Sequence, residues 1–305
     1  MLLNAIAIPV IRQEMSSLQE WIKDCPTPGM NVCIYLSIDD QWQDSEKSEL
    51  LKIHEASQVR DCPLQFIDCE IEASQSFYEK DKSIEGFNTN RYPYGKKSGP
   101  NIQFFRTLRK IFSIQPCTSG LLLLETDAHP ILQNWVFELN QRTQWFGNNV
   151  YIAGSRPVIA ETIGPIKNHI NGNALYNLGN KNFPNFLEFW EEMLTESIKL
   201  NPDLAYDVAI EWSYHTSRSS KSNVFLKRLW ANRSAYKYRR GCIDISSYIL
   251  NVSGHSDIER AKIQIKNHLK QNSSTVILHG KYQNQSGEDI ILQLKRTILK
   301  NQLSP

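Results

Sequence analysis

Apolar positions in the first half of the chain follow two alternating rhythms. NAIAIPV (4–10), NVCIYLSID (31–39), LQFIDCEI (64–71) and LLLL (121–124) are short, nearly continuous apolar runs, as expected of strands covered on both faces. Between them, EMSSLQEWIKD (14–24), SEKSELLKIHEAS (45–57) and IQFFRTLRKIFS (102–113) have helical spacing, with Phe105, Leu108 and Phe112 on one stripe. This alternation predicts an α/β fold: a mixed, mostly parallel sheet with flanking helices, built from βαβ units. FNTNRYPYGKKSGPN (87–101), rich in Gly, Pro, Asn and cations, predicts a loop.

The second half is less regular. NVYIAGSRP (149–157) and STVILHG (274–280) predict strands, and HINGNALYNLGN (169–180) is dense in Asn and Gly. ILQNWVFEL (131–139) has helical spacing, and Pro184 opens an amphipathic helix through Phe186, Trp190, Met193 and Leu194. Asp203 is placed to N-cap a further helix over 204–215, on which Asp203, Asp207, Glu211 and His215 recur every fourth residue. Like charges at that spacing are mildly unfavourable, by a few tenths of a kcal/mol per pair, so the stripe is either solvated or functional. The tail predicts a helix, and no internal repeat is visible.

One apolar run ends in chemistry. In GLLLLETDAHPILQNW (120–135) a four-leucine strand meets Glu125, Thr126 and Asp127 before Pro130 stops it. Ligands of open α/β sheets bind beyond the carboxyl ends of such strands. Residues two apart in an extended chain leave the same face, so Glu125 and Asp127 form a pair of hard oxygen ligands suited to Mg²⁺ or Mn²⁺.

Composition narrows the alternatives. A chain of 305 residues with 41% hydrophobic content can bury a large single-domain core. A net charge of +2 gives no global argument for nucleic acid or an anionic surface, so any anion site must be local. The N-terminus lacks the features of a signal peptide, and no run is long enough to span a membrane, which predicts a cytoplasmic location. The six cysteines contain no C-x-x-C pair, which predicts reduced thiols.

Taken together, GPNIQFFR, LLLLETDAHPILQNW, HINGNALY and YDVAIE resemble the GT-A class of nucleotide-sugar glycosyltransferases over roughly residues 4 to 280. The resemblance is to bacterial, algal and viral transferases with an E-x-D strand end and an N-G-N-A-x-Y segment. It implies a Rossmann-like GT-A fold in one large domain, with residues 1–130 as the nucleotide-sugar half and 131–305 as the acceptor half and C-terminal extension. It implies a metal-dependent and inverting transfer of a sugar from a nucleoside diphosphate donor to a glycan hydroxyl, with Mn²⁺ or Mg²⁺ as cofactor. Asp127 and Glu125 stand at the metal-binding positions, Glu125 either as a direct ligand or against ribose or a metal-bound water. A late histidine completes the metal shell: His279 fits best, with His255 as competitor. Thr126, Asn171, Gly172 and Asn173 lie against the donor, as do Pro9, Val10, Arg12 and Asp39 at strand ends and Lys97 and Asn101 near the cationic loop. Asp207 is the expected general base, with Glu211 in reserve. Two other classes remain open. A sugar-phosphate nucleotidyltransferase needs a Gly-rich loop after the first strand, where this chain has no glycine; a non-catalytic carbohydrate-binding protein would share the fold without needing the acids.

Overall fold

The computed structural model describes every residue except 40, 73, 77–86, 115–118, 158–167, 220–223, 253–257, 281–289 and 304–305. The four apolar runs of the first half form its parallel centre. They are β1 (Leu3–Pro9), β2 (Cys33–Ile38), β3 (Leu64–Asp68) and β4 (Gly120–Leu123), separated by α1 (Met15–Asp24), α2 (Asp44–Glu55) and α3 (Ser98–Ile114). Next come β5 (Ala128–Pro130), α4 (Trp135–Thr143), β6 (Ile152–Gly154), β7 (Ala174–Tyr176), α5 (Phe183–Ile198) and α6 (Tyr206–Ser217). The chain ends with α7 (Val224–Ala231), α8 (Arg233–Arg240), β8 (Cys242–Asp244), β9 (Ile249–Asn251), α9 (Ile258–Gln271), β10 (Ile277–His279) and α10 (Ile290–Leu303).

The main sheet has the order β3-β2-β1-β4-β7-β6-β8, and a small second sheet has the order β5-β10-β9. In the main sheet β7 runs antiparallel to both its neighbours, while the other pairs are parallel. Because β4 pairs with β7, the sheet is continuous across the boundary at residues 130 and 131.

The continuous apolar runs follow from coverage on both faces. In β4, Leu121 and Leu123 pack with Phe104 and Phe105 of α3, Trp190 of α5 and Tyr206 of α6. Leu122 and Leu124 point the other way, into Leu18 and Trp21 of α1, Leu50 of α2 and Trp135 of α4. Successive side chains alternate faces, so a strand sandwiched between helix layers must be apolar at every position. Each buried leucine contributes about 1.5–3 kcal/mol relative to exposure.

The structure departs from the sequence reading where tertiary pairing wins. Residues 128–130 are taken by β5, which pairs antiparallel with β10, so the helix expected over 131–139 begins only at Trp135, after Asn134 at φ 57°. α3 begins at Ser98 and absorbs SGPN from the expected loop; Pro100 lies in its first turn, where no backbone donor is needed. Asp203 does not cap α6, whose N-cap position is Ala205; its carboxylate lies 3.9 Å from the buried Lys96 ammonium. The acidic stripe therefore shortens to Asp207, Glu211 and His215. β7, three residues inside the Asn/Gly-dense segment, and β5, β8, β9 and α7 to α9 were not expected. Among the described residues five cysteines are free thiols, and no helix is long and apolar enough to cross a membrane.

Candidate active site

Strand pairing assembles the acidic cluster. β4 delivers Glu125 and Asp127 just past its buried end, and β10 pairs with β5 so that His279 sits opposite Ala128. The Gly280 amide then donates to the Asp127 carbonyl at 3.3 Å. Gly280 adopts φ +138°, and a Cβ there would meet the Val252 carbonyl oxygen at 2.2 Å, so the turn that seats His279 requires glycine. His279 Nε2 lies 3.0 Å from a Glu125 oxygen and 3.3 Å from an Asp127 oxygen. Its Nδ1 donates to Asn251 Oδ1 at 2.6 Å, which keeps a proton on Nδ1 and turns Nε2 toward the carboxylates.

The electrostatics of the cluster are strong. Burial disfavours the His279 imidazolium, but hydrogen bonds and charge from Asp127 and Glu125 outweigh it and push its pKa up to about 10. For Asp127, burial raises the pKa and His279 lowers it more, leaving it below the ordinary carboxylate value. The cluster therefore holds a proton between two carboxylates.

Asn173 fixes the cluster from the other side. Its Oδ1 accepts from the Glu125 amide at 2.7 Å, and its Nδ2 donates to Glu125 Oε2 at 3.2 Å and to Asn171 Oδ1 at 2.8 Å. Asn171 and Asn173 thus carry a polar link from the acids into the segment before β7.

The acids open onto a cavity of about 700 Å³, walled by Pro9, Gln103, Phe104, Thr126, His129 and Tyr206 and by Leu292, Gln293 and Arg296 of α10. That size falls within the usual range for small-molecule sites. Tyr206 stacks on Phe104 at 3.8 Å between ring centroids. Gly172 makes room for this wall, because a Cβ there would stand 2.0 Å from Tyr206 Oη. His129 is buried, its Nδ1 without a hydrogen-bond partner among the described residues; burial, then the charge of Lys295, lower its pKa to about 4, so it is neutral at pH 7.

The galactosyltransferase LgtC, solved in complex with donor and acceptor sugar analogues, superposes with a TM-score of 0.54 at 11% identity, over 97% of this chain and 95% of that one. The bifunctional glycosyltransferase WbbM superposes with a TM-score of 0.54 at 9% identity, over 99% of this chain. GlyE from Streptococcus pneumoniae TIGR4 gives 0.52 at 12% identity, over 97% of this chain. The chain spans 50% of WbbM and 60% of GlyE. At these identities the likeness is one of fold. The chain has the GT-A fold. No protein-family model matches it, and no curated protein resembles it in sequence.

Within this GT-A frame the residues singled out in sequence fall into three groups. Glu125, Thr126, Asp127 and Pro9 border the cavity, and His279, Asn171, Gly172 and Asn173 support or extend its acidic end. A second group is engaged elsewhere. Asn101 is fully buried; its Nδ2 donates to the Tyr94 and Leu204 carbonyls, and its Oδ1 accepts from the Tyr206 amide. It therefore clasps the start of α6, behind the stacked ring. Val10 is buried; its amide donates to the Ser37 carbonyl and its carbonyl accepts from Gln103 Nε2. Arg12 pairs with Glu46 at 2.7 Å, Asp39 accepts from Gln41 and Ser76, and Lys97 is half-buried in a 3₁₀ turn, Gly95–Lys97. His255 lies outside the described residues.

The third group is Asp207 and Glu211, which line a narrow second recess of about 20 Å³ together with Asn171, Arg156 and Trp190. Asp207 lies 3.6 Å from His169, and Glu211 accepts from Arg239 at 3.0 Å with His215 at 3.6 Å. Asn171 borders this recess and accepts from Asn173 Nδ2, which also bonds Glu125 at the cavity, so a hydrogen-bonded link runs from one site to the other.

Sequence reasoning missed several participants. Gln103 donates to the Val10 and Ser37 carbonyls and so ties the ends of β1 and β2 together at the cavity floor. Phe104 was masked by its neighbour Phe105, which carries the core stripe. Asn251 and the α10 residues had no local signal at all.

Proposed function

We propose that the protein is a metal-dependent glycosyltransferase that moves a sugar from a nucleoside diphosphate donor to a glycan hydroxyl. The observation that carries this is the convergence of Glu125, Asp127 and His279, whose ligand atoms lie within 4.8 Å of one another, at the mouth of a nucleotide-sized cavity in a GT-A fold. Two carboxylates and an imidazole turned by Asn251 suit Mn²⁺ or Mg²⁺. A divalent ion bound there supplies charge to a departing diphosphate. Asn173 holds Glu125 against rotation, and the Phe104–Tyr206 stack excludes water from one side of the cavity.

For the acceptor we propose Asp207 as general base in an inverting displacement, with Glu211 in reserve. Among the described residues Asp207 has the neighbouring His169 but no guanidinium, whereas Glu211 is engaged by Arg239, which favours Asp207 as the proton acceptor. The Asn171–Asn173 link supports a connection between donor and acceptor sites.

A nucleotidyltransferase reading is not favoured. The chain passes from β1 through Val10 and Ile11 into a short 3₁₀ turn, Arg12–Glu14, and then α1, leaving no Gly-rich loop for a triphosphate. The test is a screen of UDP-, GDP- and dTDP-sugars for Mn²⁺-dependent hydrolysis and transfer. Activity on one of them, abolished by EDTA and by Asp127→Asn, is expected. Nucleotide binding indifferent to both would refute the assignment.

A further inference from the structure

Between Glu211 and Asp244 the chain carries eight of its 34 basic residues and no acidic one, in a protein whose overall charge is +2. α7 and α8 fall in this stretch. α7 turns Leu226 and Trp230 inward, and α8 turns Ala235 inward with Tyr238 and Arg239 half-buried beside it. Their opposite faces are exposed throughout: Val224, Lys227, Arg228 and Ala231 on α7, and Arg233, Tyr236, Lys237 and Arg240 on α8. Both sets follow i, i+3, i+4, i+7, so each is one continuous stripe.

An ordinary solvated face intersperses both signs of charge. Here, among the described residues of the run, Arg239 is the one cation joined to a carboxylate, at Glu211. The outer stripes also display apolar surface amid the charge, Val224 being 64% and Tyr236 38% exposed. Cations interleaved with an aromatic and an aliphatic side chain suit an interface with headgroups on one side and acyl chains on the other. A soluble polyanion would engage the charges and gain nothing from an exposed valine.

We propose that the outer faces of α7 and α8 dock on an anionic lipid bilayer, with Lys227, Arg228, Arg233, Lys237 and Arg240 on headgroup phosphates and Tyr236 and Val224 at the acyl boundary. Each cation near such a surface contributes about a fivefold gain in partitioning, so five together amount to a factor on the order of a thousand. Arg239 on the inner side of α8 holds Glu211 at the second recess, so the docked bilayer lies beside it. That this presents lipid-linked acceptors to the recess rests on the function proposed above; the docking itself does not.

The test is sedimentation of the full chain with vesicles of phosphatidylcholine alone or mixed with phosphatidylglycerol, at low and high salt. Pelleting with the anionic vesicles only, weakened by salt, is expected. Lys237→Gln with Arg240→Gln should lower partitioning about 25-fold, and Val224→Ser, at a side chain 64% exposed, should lower it further, with thermal midpoint and vesicle-free donor hydrolysis unchanged. No pelleting with anionic vesicles, or equal pelleting of wild type and variants, overturns the proposal. Retention on heparin without vesicle binding also overturns it and assigns the face to a soluble polyanion. A protein that docks yet hydrolyses no sugar nucleotide leaves the docking standing and counts against the transferase reading alone.

Discussion

A divalent ion bound by Glu125, Asp127 and His279 must expel a proton, and the size of that exchange can be worked from the geometry. In the ion-free site His279 Nε2 lies 3.0 Å from Glu125 and 3.3 Å from Asp127, and its pKa stands at about 10. At pH 7 the imidazole must give up a proton held about three pH units too tightly, a cost of about 4 kcal/mol that the ion's bonds have to exceed. Affinity should therefore rise about tenfold per pH unit between pH 6 and 8, with about one proton released per ion. Calorimetry of Mn²⁺ binding in buffers of different ionisation enthalpy counts that proton directly. His279→Gln, which keeps both carboxylates, should bind more weakly and release none. Wild-type binding without proton release, at an affinity flat in pH, would sink His279 as a ligand.

The same shift makes an opposite prediction for the ion-free fold. A histidine whose folded pKa is raised from 6.5 to about 10 contributes its stabilisation in full below pH 6.5, and that contribution is lost as pH rises through 10. Thermal melts in EDTA should fall across this window, and Mn²⁺ should flatten the fall, because the ion replaces the proton between the carboxylates.

Four further outcomes are expected. Asn251→Ala frees the His279 ring and should weaken Mn²⁺ affinity about 10- to 100-fold by calorimetry while the fold survives. Gly172→Ala drives a methyl into Tyr206 Oη and should cost about 1–3 kcal/mol in urea unfolding together with nucleotide affinity; intact binding would show that the Tyr206–Phe104 wall does not touch the donor. Asn101→Ala strips partners from the Leu204 carbonyl and the Tyr206 amide, both in buried bonds, and from the part-buried Tyr94 carbonyl, at about 1–3 kcal/mol per buried orphaned group, so its effect should appear in stability before activity. Asp207→Asn should lower transfer about 10²- to 10⁴-fold with donor binding intact; normal turnover in Asp207→Asn with a dead Glu211→Gln would exchange their roles, and activity in both would remove α6 from the chemistry.

The parallel half of the fold was legible because its signal is local and redundant. Leu121 to Leu124 read as a strand from four consecutive residues, and their alternate burial into two helix layers explains why none could be polar. Short elements of the second half carry no comparable signal. β7 is three residues long, and Ala174, Leu175 and Tyr176 gain strand character only from β4 on one side and β6 on the other. Asp203 shows the reverse error: the helix starts later than its capping residue suggests, with Ala205 at the N-cap, so Asp203 stands two residues outside it and its carboxylate lies 3.9 Å from the Lys96 ammonium instead.

The candidate site divides along the same line. Glu125 and Asp127 were visible because a strand end puts them on one face; the structure adds that they are held there by Asn173, whose amide bonds both the backbone and the side chain of Glu125. His279 is 152 positions beyond Asp127 and reaches it only because β5, itself three residues long, pairs antiparallel with β10 in a register that sets Ala128 against His279. A slip of one residue in that pairing would turn the imidazole to the other face of the small sheet and leave two carboxylates without a counter-charge. The glycine after it, at a φ closed to other residues, and the Asn251 acceptor on the neighbouring strand both fix that register at the histidine. The small sheet is thus the element on which the proposed metal site depends, and it is one whose pairing no stretch of local sequence could disclose.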